Sequence, residues 1–133
     1  MTNIAGVLIC QNGKYLLVQE NKPDDTGWTI PAGRVKSSES PEQGAIREGR
    51  EETGLNLRIE YHVKTFEFDN LNSTVYIYRA VPIGGKLKIN TAECIGLGWF
   101  SWKELKNLEL RREFIRTAIK ADIAKNEVTK NES

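Results

Sequence analysis

The sequence predicts an α/β fold in which a mixed β-sheet lies between helices. Apolar runs rich in aliphatic and aromatic residues recur along the chain and indicate strands. Residues 41–53 carry the start and stop signals of a helix, and residues 110–124 have apolar side chains at helical spacing. The order strand, strand, helix, several strands, helix is typical of a sheet covered by helices.

The chain before the first helix is predicted to form a hairpin and a loop. Residues 4–10 and 15–20 are apolar runs, and Asn12-Gly13 between them is a type I′ turn signal. Residues 21–27 hold a proline, two aspartates and a glycine, which favour a loop. Residues 28–30 are predicted to be extended, because the proline that follows them disfavours helix.

The helix over residues 41–53 has clear ends. Ser40 is a candidate N-cap, Pro41 takes the first helical position, where its missing N–H costs nothing, and Gln43 completes a capping box. Gly54 supplies the left-handed stop. These local signals predict the helix independently of any packing.

The second half of the chain is predicted to be mostly strands, followed by an amphipathic helix. The predicted strands are 57–68, 73–81, 86–89 and 97–100, with turns at 69–72 and 84–85, and the helix is 110–124. Residues 1–133 are expected to form one domain, with residues from about 126 to 133 as a flexible tail.

Composition excludes several function classes. The net charge is +1 over 133 residues, so the chain has no global field that would steer it to nucleic acid or membrane. It has no apolar run of membrane-spanning length and no secretory signal pattern, which favours a cytoplasmic protein. Cys10 and Cys94 have no metal-site spacing and are predicted to be free, buried thiols.

Three glutamates lie on one side of the first helix. Glu48, Glu51 and Glu52 follow one another at helical spacing, and like charges at this spacing repel. A chain that groups them leaves them in water or neutralises them with a cation. Because all the candidate ligands are oxygens, we expect a hard divalent ion, Mg²⁺ before Mn²⁺ or Ca²⁺.

The same segment resembles, position for position, the signature of the Nudix hydrolases. The matching positions, in order and at the spacing of that signature, are Gly33, Glu39, Arg47, Glu48, Glu51, Glu52 and Gly54, followed by an aliphatic residue at 55. One position departs from it, because Gly49 stands where the family usually has an aliphatic residue, which concerns packing more than chemistry. The resemblance implies an α/β/α sandwich whose signature forms a loop–helix–loop.

The resemblance also implies roles for the residues of the signature. Glu48 and Glu52 are the expected principal metal ligands, and the backbone carbonyl of Ala32 is expected to complete the site. Glu51 is expected to be a further ligand or the acceptor of the attacking water's proton. Arg47 lies four residues before Glu51 and is expected to act with it in catalysis by fixing its rotamer.

Other positions are expected to support the site. Gly33, Glu39 and Gly54 are interpreted as structural parts of the signature. Glu93 lies six residues before Trp99, the spacing at which MutT-type members place a loop glutamate that assists catalysis.

Outside the signature's glutamates, Arg34 is the expected phosphate contact, and Trp28 is a candidate to stack on a base. Together these features predict an Mg²⁺-dependent pyrophosphohydrolase of a nucleoside diphosphate linked to another moiety, through attack of water on phosphorus.

The main alternative is a Nudix-fold module that senses a nucleotide without cleaving it, although such proteins usually lose signature glutamates. An isoprenoid diphosphate isomerase is a lesser one, since neither cysteine lies in the context which that chemistry needs. The expected partner is a small nucleotide. A membrane is excluded, nucleic acid is disfavoured, and a homodimer is left open.

Overall fold

A computed structural model of the chain describes residues 1–89 and 94–132, with the backbone alone for residues 127–132. Within these residues the chain forms one sheet and three α-helices. The strands are β1 (Thr2–Gln11), β2 (Lys14–Glu20), β3 (Trp28–Thr29), β4 (Ala32–Arg34), β5 (Leu55–Phe68), β6 (Ser73–Gly85) and β7 (Cys94–Phe100). The helices are α1 (Pro41–Thr53), α2 (Trp102–Leu105) and α3 (Phe114–Glu132), and Asp69–Leu71 forms a 3₁₀ turn.

The central strand of the sheet is β1. Along the sheet the order is β3-β2-β1-β6-β5, while β4 also pairs with β1 and β7 with β2. Among the pairings of the seven described strands, β1–β6 alone is parallel, so the sheet is mixed as predicted. In the β1–β2 hairpin, Asn12 and Gly13 have φ of 53° and 74°, as a type I′ turn requires.

Strand alternation divides the core into two layers. Ala5, Val7 and Ile9 of β1 belong to the cluster that includes Ala45 of α1. The intervening residue Leu8 belongs to the cluster on the other face, beneath α3. The molecule is therefore the predicted sandwich, a mixed sheet with helices on both faces.

The prediction of a strand over residues 86–89 is wrong. Strand β6 continues to Gly85, which pairs with Leu55, and Gly85 has φ +82°. The backbone N–H of Lys88 then donates to the carbonyl of Thr53 at 2.7 Å. This segment binds the end of α1 instead of extending the sheet.

The start of the last helix is also corrected, because α3 begins at Phe114 and not at residue 110. The N–H of Trp28 donates to the carbonyl of Glu109 at 2.9 Å, and the N–H of Arg111 donates to the carbonyl of Trp28 at 2.8 Å. These bonds hold the segment extended. The backbone of α3 continues to Glu132, through most of the stretch predicted as a tail, whose mobility stays a prediction.

Two elements were missed by the sequence patterns. Helix α2 has a capping box: the N–H of Ser101 donates to Oε1 of Glu104 at 3.0 Å, and the N–H of Glu104 donates to Oγ of Ser101 at 3.3 Å. This Ser-x-x-Glu spacing was a readable signal. Strand β4 had no local signal, because its pairing with β1 is a tertiary contact.

Both cysteines are buried and neither forms a disulfide with a described residue, as predicted. In the described part of the chain, no helix combines the length and the apolar composition that crossing a membrane requires.

Candidate active site

Helix α1 is held at both ends by the predicted caps. The N–H of Gln43 donates to Oγ of Ser40 at 3.2 Å, and the N–H of Ser40 donates to Oε1 of Gln43 at 2.8 Å. At the other end Gly54 has φ +82°, and its N–H donates to the carbonyl of Arg50 at 2.8 Å. These caps fix the register in which the glutamates of the helix meet the sheet.

Glu48 lies directly against the backbone of Gly33. A Cβ atom on Gly33 would stand 2.3 Å from both Cδ and Oε1 of Glu48, and 2.6 Å from Oε2. No side chain larger than hydrogen fits there while Glu48 keeps its place. Strand β4, where Gly33 pairs with Ala5, therefore forms one wall of a recess for this carboxylate.

Glu52 is buried, with 7% of its surface exposed, and its Oε2 accepts a hydrogen bond from the N–H of Ala32 at 3.0 Å. Burial, followed by the negative charge of Glu48, raises the pKa of Glu52 to about 9. The N–H of Ala32 partly offsets this shift. The carbonyl of Ala32 stays a predicted ligand.

Arg47 links four groups around the helix. Its Nη1 donates to Glu48 at 2.8 Å and to Glu51 at 3.2 Å, and its Nη2 donates to Glu39 at 2.7 Å and to the carbonyl of Arg34 at 2.9 Å. This guanidinium holds the pKa of Glu39 at about 2. The arginine therefore ties the loop after β4 to the glutamate face of α1.

Glu48, Glu51 and Glu52 do not share one environment. Glu48 and Glu52 line the same cavity, whereas Glu51, with 55% of its side chain exposed, lies on a neighbouring groove with Arg47 and Arg50. Positions 48 and 52 are about 40° apart around a helix, and position 51 is about 100° from position 52. The structure thus separates Glu51 from the buried pair.

The cavity that contains the pair has a volume of about 380 Å³. Its walls are formed by Glu20, Asn21, Lys22, Ala32, Glu48, Glu52 and Cys94. Glu20 and Lys22, at and just beyond the end of β2, were not identified from the sequence. Nothing in the local pattern distinguishes them from ordinary strand-end charges.

The residues present fit a hard divalent cation in kind. Two adjacent carboxylates in a largely buried recess need a proton or a positive ion, and backbone and carboxylate oxygens are the ligands that Mg²⁺ prefers. Within residues 1–89 and 94–126, no three histidine, cysteine, aspartate or glutamate side chains converge closely enough to hold a metal ion together. The candidate ligand set is therefore two carboxylates, completed by backbone and water oxygens, as is usual for Mg²⁺.

The remaining predicted residues lie outside this cavity or outside the described residues. Arg34 is exposed, and its carbonyl accepts the bond from Arg47. Trp28 is half-buried and packs edge-on against Phe100, with 4.9 Å between the ring centroids. Glu93 falls in residues 90–93, outside the described part of the chain.

Several known proteins are similar to this chain. The chain matches the model of the NUDIX domain over residues 2–121. It is 29% identical over 100 residues to a putative 8-oxo-dGTP diphosphatase of Bacillus subtilis (strain 168), covering 75% of this chain and 66% of that protein. It is 32% identical over 122 residues to putative nudix hydrolase 1 of Caenorhabditis elegans, covering 85% of this chain and 33% of that one.

A solved structure gives the same result. The chain superposes on a MutT NUDIX hydrolase from Burkholderia pseudomallei with a TM-score of 0.78 and 25% identity, covering 90% of this chain and 96% of the other. The alignments span just under two thirds of the Bacillus relative (66%) and one third of the Caenorhabditis relative (33%).

Proposed function

Because this chain belongs to the Nudix family, we propose that it hydrolyses a phosphoanhydride bond of a nucleoside diphosphate derivative, with Mg²⁺ as the cation and Mn²⁺ as a substitute. The observation that carries the proposal is the adjacent pair of carboxylates, partly buried Glu48 and buried Glu52, set against Gly33 and Ala32. Nudix hydrolases generally use divalent cations, and this pair is where the chain concentrates negative charge out of water.

The proposed roles follow from the positions of the side chains. Glu48 and Glu52 hold the cation with the carbonyl of Ala32. When bound, the cation shields phosphate charge and lowers the pKa of a water molecule. Arg47 fixes Glu48 and Glu51 through hydrogen bonds of 2.8 and 3.2 Å.

Glu51 is the proposed acceptor of the water's proton. It lies on the groove beside the cavity, where it shares Nη1 of Arg47 with Glu48 at 3.2 and 2.8 Å, and its exposure to solvent lets it pass the proton on. The catalytic role of Glu93 and the substrate contacts of Arg34 and Trp28 stay predictions. For Trp28 the packing against Phe100 favours a role in shaping the site over direct stacking.

A nucleoside triphosphate is the proposed substrate class. The name of the Bacillus relative, a putative 8-oxo-dGTP diphosphatase, supports placing oxidised guanine nucleotides in the test panel. The cavity beside the glutamates, about 380 Å³, is large enough for a phosphate group and its cation.

The test is phosphate and pyrophosphate release from a panel of nucleotides with Mg²⁺ and with EDTA. The panel contains the (d)NTPs, 8-oxo-dGTP, ADP-ribose, nucleotide sugars and dinucleoside polyphosphates. Glu52→Gln removes one carboxylate of the pair, and Glu42→Gln is the matched control, because Glu42 is exposed on the same helix outside the cavity.

We expect cleavage of one substrate class that requires the divalent ion, is lost in Glu52→Gln and is kept in Glu42→Gln. Wild-type rates in Glu52→Gln would contradict the metal assignment. Nucleotide binding without any cleavage would instead support the nucleotide-sensing alternative.

A further inference from the structure

Glu20 shares the cavity of Glu48 and Glu52 but comes from a different element. It is the last residue of β2, whereas the signature glutamates lie on α1. The pairing of β2 with β7 changes register between Gln19 and Glu20, so that Glu20 pairs with Cys94, which also lines the cavity. Register changes of this kind redirect a side chain out of the regular alternation of a strand.

Two cations hold one oxygen of Glu20. Nζ of Lys22 lies 3.2 Å from Oε2, and Nη1 of Arg111 forms an ion pair with the same atom. Among the described residues, Oε1 accepts no hydrogen bond. Glu20 is therefore anchored through one oxygen and keeps the other for a ligand.

Arg111 is itself fixed, which makes the position of Glu20 reproducible. Its Nε lies 3.0 Å from Oδ2 of Asp25, and its backbone N–H donates to the carbonyl of Trp28 at 2.8 Å. Gly27 allows this approach, since a Cβ there would stand 2.7 Å from the backbone nitrogen of Arg111. The segment before α3 thus holds in place both the loop after β2 and the carboxylate of Glu20, where that loop begins.

Charge around the cavity favours a further role for Glu20. Of the described residues that line it, three are carboxylates and one, Lys22, is cationic. Lys22 and Arg111 share Oε2 of Glu20, so a divalent ion would mainly compensate Glu48 and Glu52. The waters that Mg²⁺ usually keeps would bind to nearby oxygens such as Oε1 of Glu20.

We propose that Glu20 binds the divalent cation of this site from the wall formed by β2, through the waters that the ion keeps, and that Arg111 positions it. This inference rests on the proposed function, because it assumes a cation held by Glu48 and Glu52. It adds to that site a residue from outside the signature segment.

The test is direct titration of the nucleotide-free protein with Mn²⁺, with free Mn²⁺ measured by electron paramagnetic resonance. Glu20→Gln keeps the shape of the side chain and a partner for Arg111. Glu67→Gln is the control, because Glu67 is exposed on β5 and forms no ion pair with the described residues. We expect Glu20→Gln to bind Mn²⁺ at least about tenfold more weakly, as for other residues that support a metal site indirectly, and Glu67→Gln to stay within twofold.

High salt distinguishes a contact of Glu20 with the waters of the bound ion from a long-range effect of the Glu20 charge. At about 1 M KCl the Debye length falls to about 3 Å, so a purely long-range effect of Glu20 would disappear, whereas an effect through bound water would persist. Mn²⁺ affinity of Glu20→Gln within twofold of wild type at high salt, while Glu52→Gln loses binding, would overturn the inference alone. A wild-type protein that binds no Mn²⁺ would overturn the metal assignment itself.

Arg111→Met tests the positioning role. If Arg111 only adds positive charge near the site, its removal should tighten Mn²⁺ binding. If it positions Glu20, as proposed, binding should weaken by about threefold or more despite the loss of a repelling charge. The metal-free melting temperature of each variant is measured alongside, and tighter binding by a folded Arg111→Met protein would refute the positioning role.

Discussion

Helix α1 and strand β6 each carry an arginine set among carboxylates, on opposite faces of the sheet, and the two clusters differ in how completely their charges are matched. Behind β6, Nη1 of Arg79 donates to Oδ2 of Asp122 at 2.7 Å, and Nε donates to Glu60 at 2.8 Å. Asp122 is fully buried and also accepts hydrogen bonds from the hydroxyls of Tyr15 and Tyr61. Every partner that a buried carboxylate needs is present.

The cluster on α1 is matched only in part. Arg47 serves Glu39, Glu48 and Glu51, but Glu52 meets no cationic side chain among the described residues and has one backbone N–H as its donor. The raised pKa of Glu52, about 9, reports the same imbalance. Two acids are forced together where one arginine reaches only the first.

The candidate site differs from the structural Asp122 cluster in how many of its carboxylates lack partners, and not in the size of the neighbouring cavity. A cavity of about 660 Å³, larger than the one beside Glu52, borders Arg79, Glu60 and Tyr15 of the matched cluster. The buried acid on that face already has its partners, so it stabilises the fold. The acids on the α1 face lack such partners, and the proposed cation would supply the missing positive charge.

Asp122→Ala should break the matched cluster and produce the largest effect. It leaves Arg79, Tyr15 and Tyr61 without their acceptor in the core, so we expect a loss of about 3–5 kcal/mol in the free energy of unfolding. Urea denaturation of the metal-free protein measures it, with Glu67→Ala as an exposed control. A loss below about 1 kcal/mol would mean that the cluster does not hold α3 to the sheet.

Glu52→Gln should lower activity without lowering stability, in contrast to Asp122→Ala. We expect turnover to fall at least 100-fold, which corresponds to about 2.7 kcal/mol of transition-state stabilisation. Stability of the metal-free protein near pH 7 should rise, because folding no longer has to protonate a carboxyl whose pKa the fold raises from 4.5 to about 9. Steady-state kinetics and melting in EDTA give the two readouts, and a stability loss like that of Asp122→Ala would erase the distinction between the clusters.

Gly49→Leu tests how tightly the buried side of α1 packs on the sheet. A Cβ at Gly49 would stand 2.4 Å from Cδ1 of Leu57 and 3.2 Å from Cγ1 of Val7, so the aliphatic residue usual for the family does not fit this packing. We expect a destabilisation of about 1–3 kcal/mol by overpacking. Thermal unfolding checks it against Arg50→Leu, which adds the same side chain on the exposed side of the helix.

The ion pair between Glu39 and Arg47 should persist to low pH. The pKa of Glu39 is lowered from 4.5 to about 2 by its hydrogen bonds with Arg47 and with the N–H of Lys36. A lowered carboxyl pKa contributes stability that is present above pH 4.5 and is lost as the pH falls toward 2. The amide resonance of Lys36 should therefore hold its position down to about pH 3, and a transition near pH 4.5 would show that the ion pair is not formed.

Sequence reasoning recovered what is encoded locally. Helix α1 could be predicted to the residue because Ser40, Gln43 and Gly54 determine its ends through their own hydrogen bonds. The family resemblance pointed to the helix face that carries Glu48 and Glu52. Spacing alone placed Glu51 with them, since a helix pattern shows which side chains are neighbours but not which are covered.

Features that depend on distant contacts could not be predicted. Glu20 lines the cavity where β2 changes register against β7. Arg111 lies beside Glu20 because the backbone of its segment is hydrogen-bonded to Trp28. Asp122 looks like a solvated residue of an amphipathic helix, and only the tyrosines and the arginine that surround it explain its burial. These positions are decided by tertiary structure that no local pattern reports.

The parallel pairing of β1 with β6 also has a consequence for the order of folding. Thr2 pairs with Ser73, and the ladder continues to Ile9 and Ala80, so the loop that must close is about half the chain. Strand β4, which carries Gly33 and Ala32, pairs with this same β1. Closing so long a loop is slow relative to forming a hairpin or a helix. We therefore expect the sheet that supports the recess for Glu48 and Glu52 to be completed late, since its central strand β1 gains its neighbour β6 only after β6 has left the ribosome.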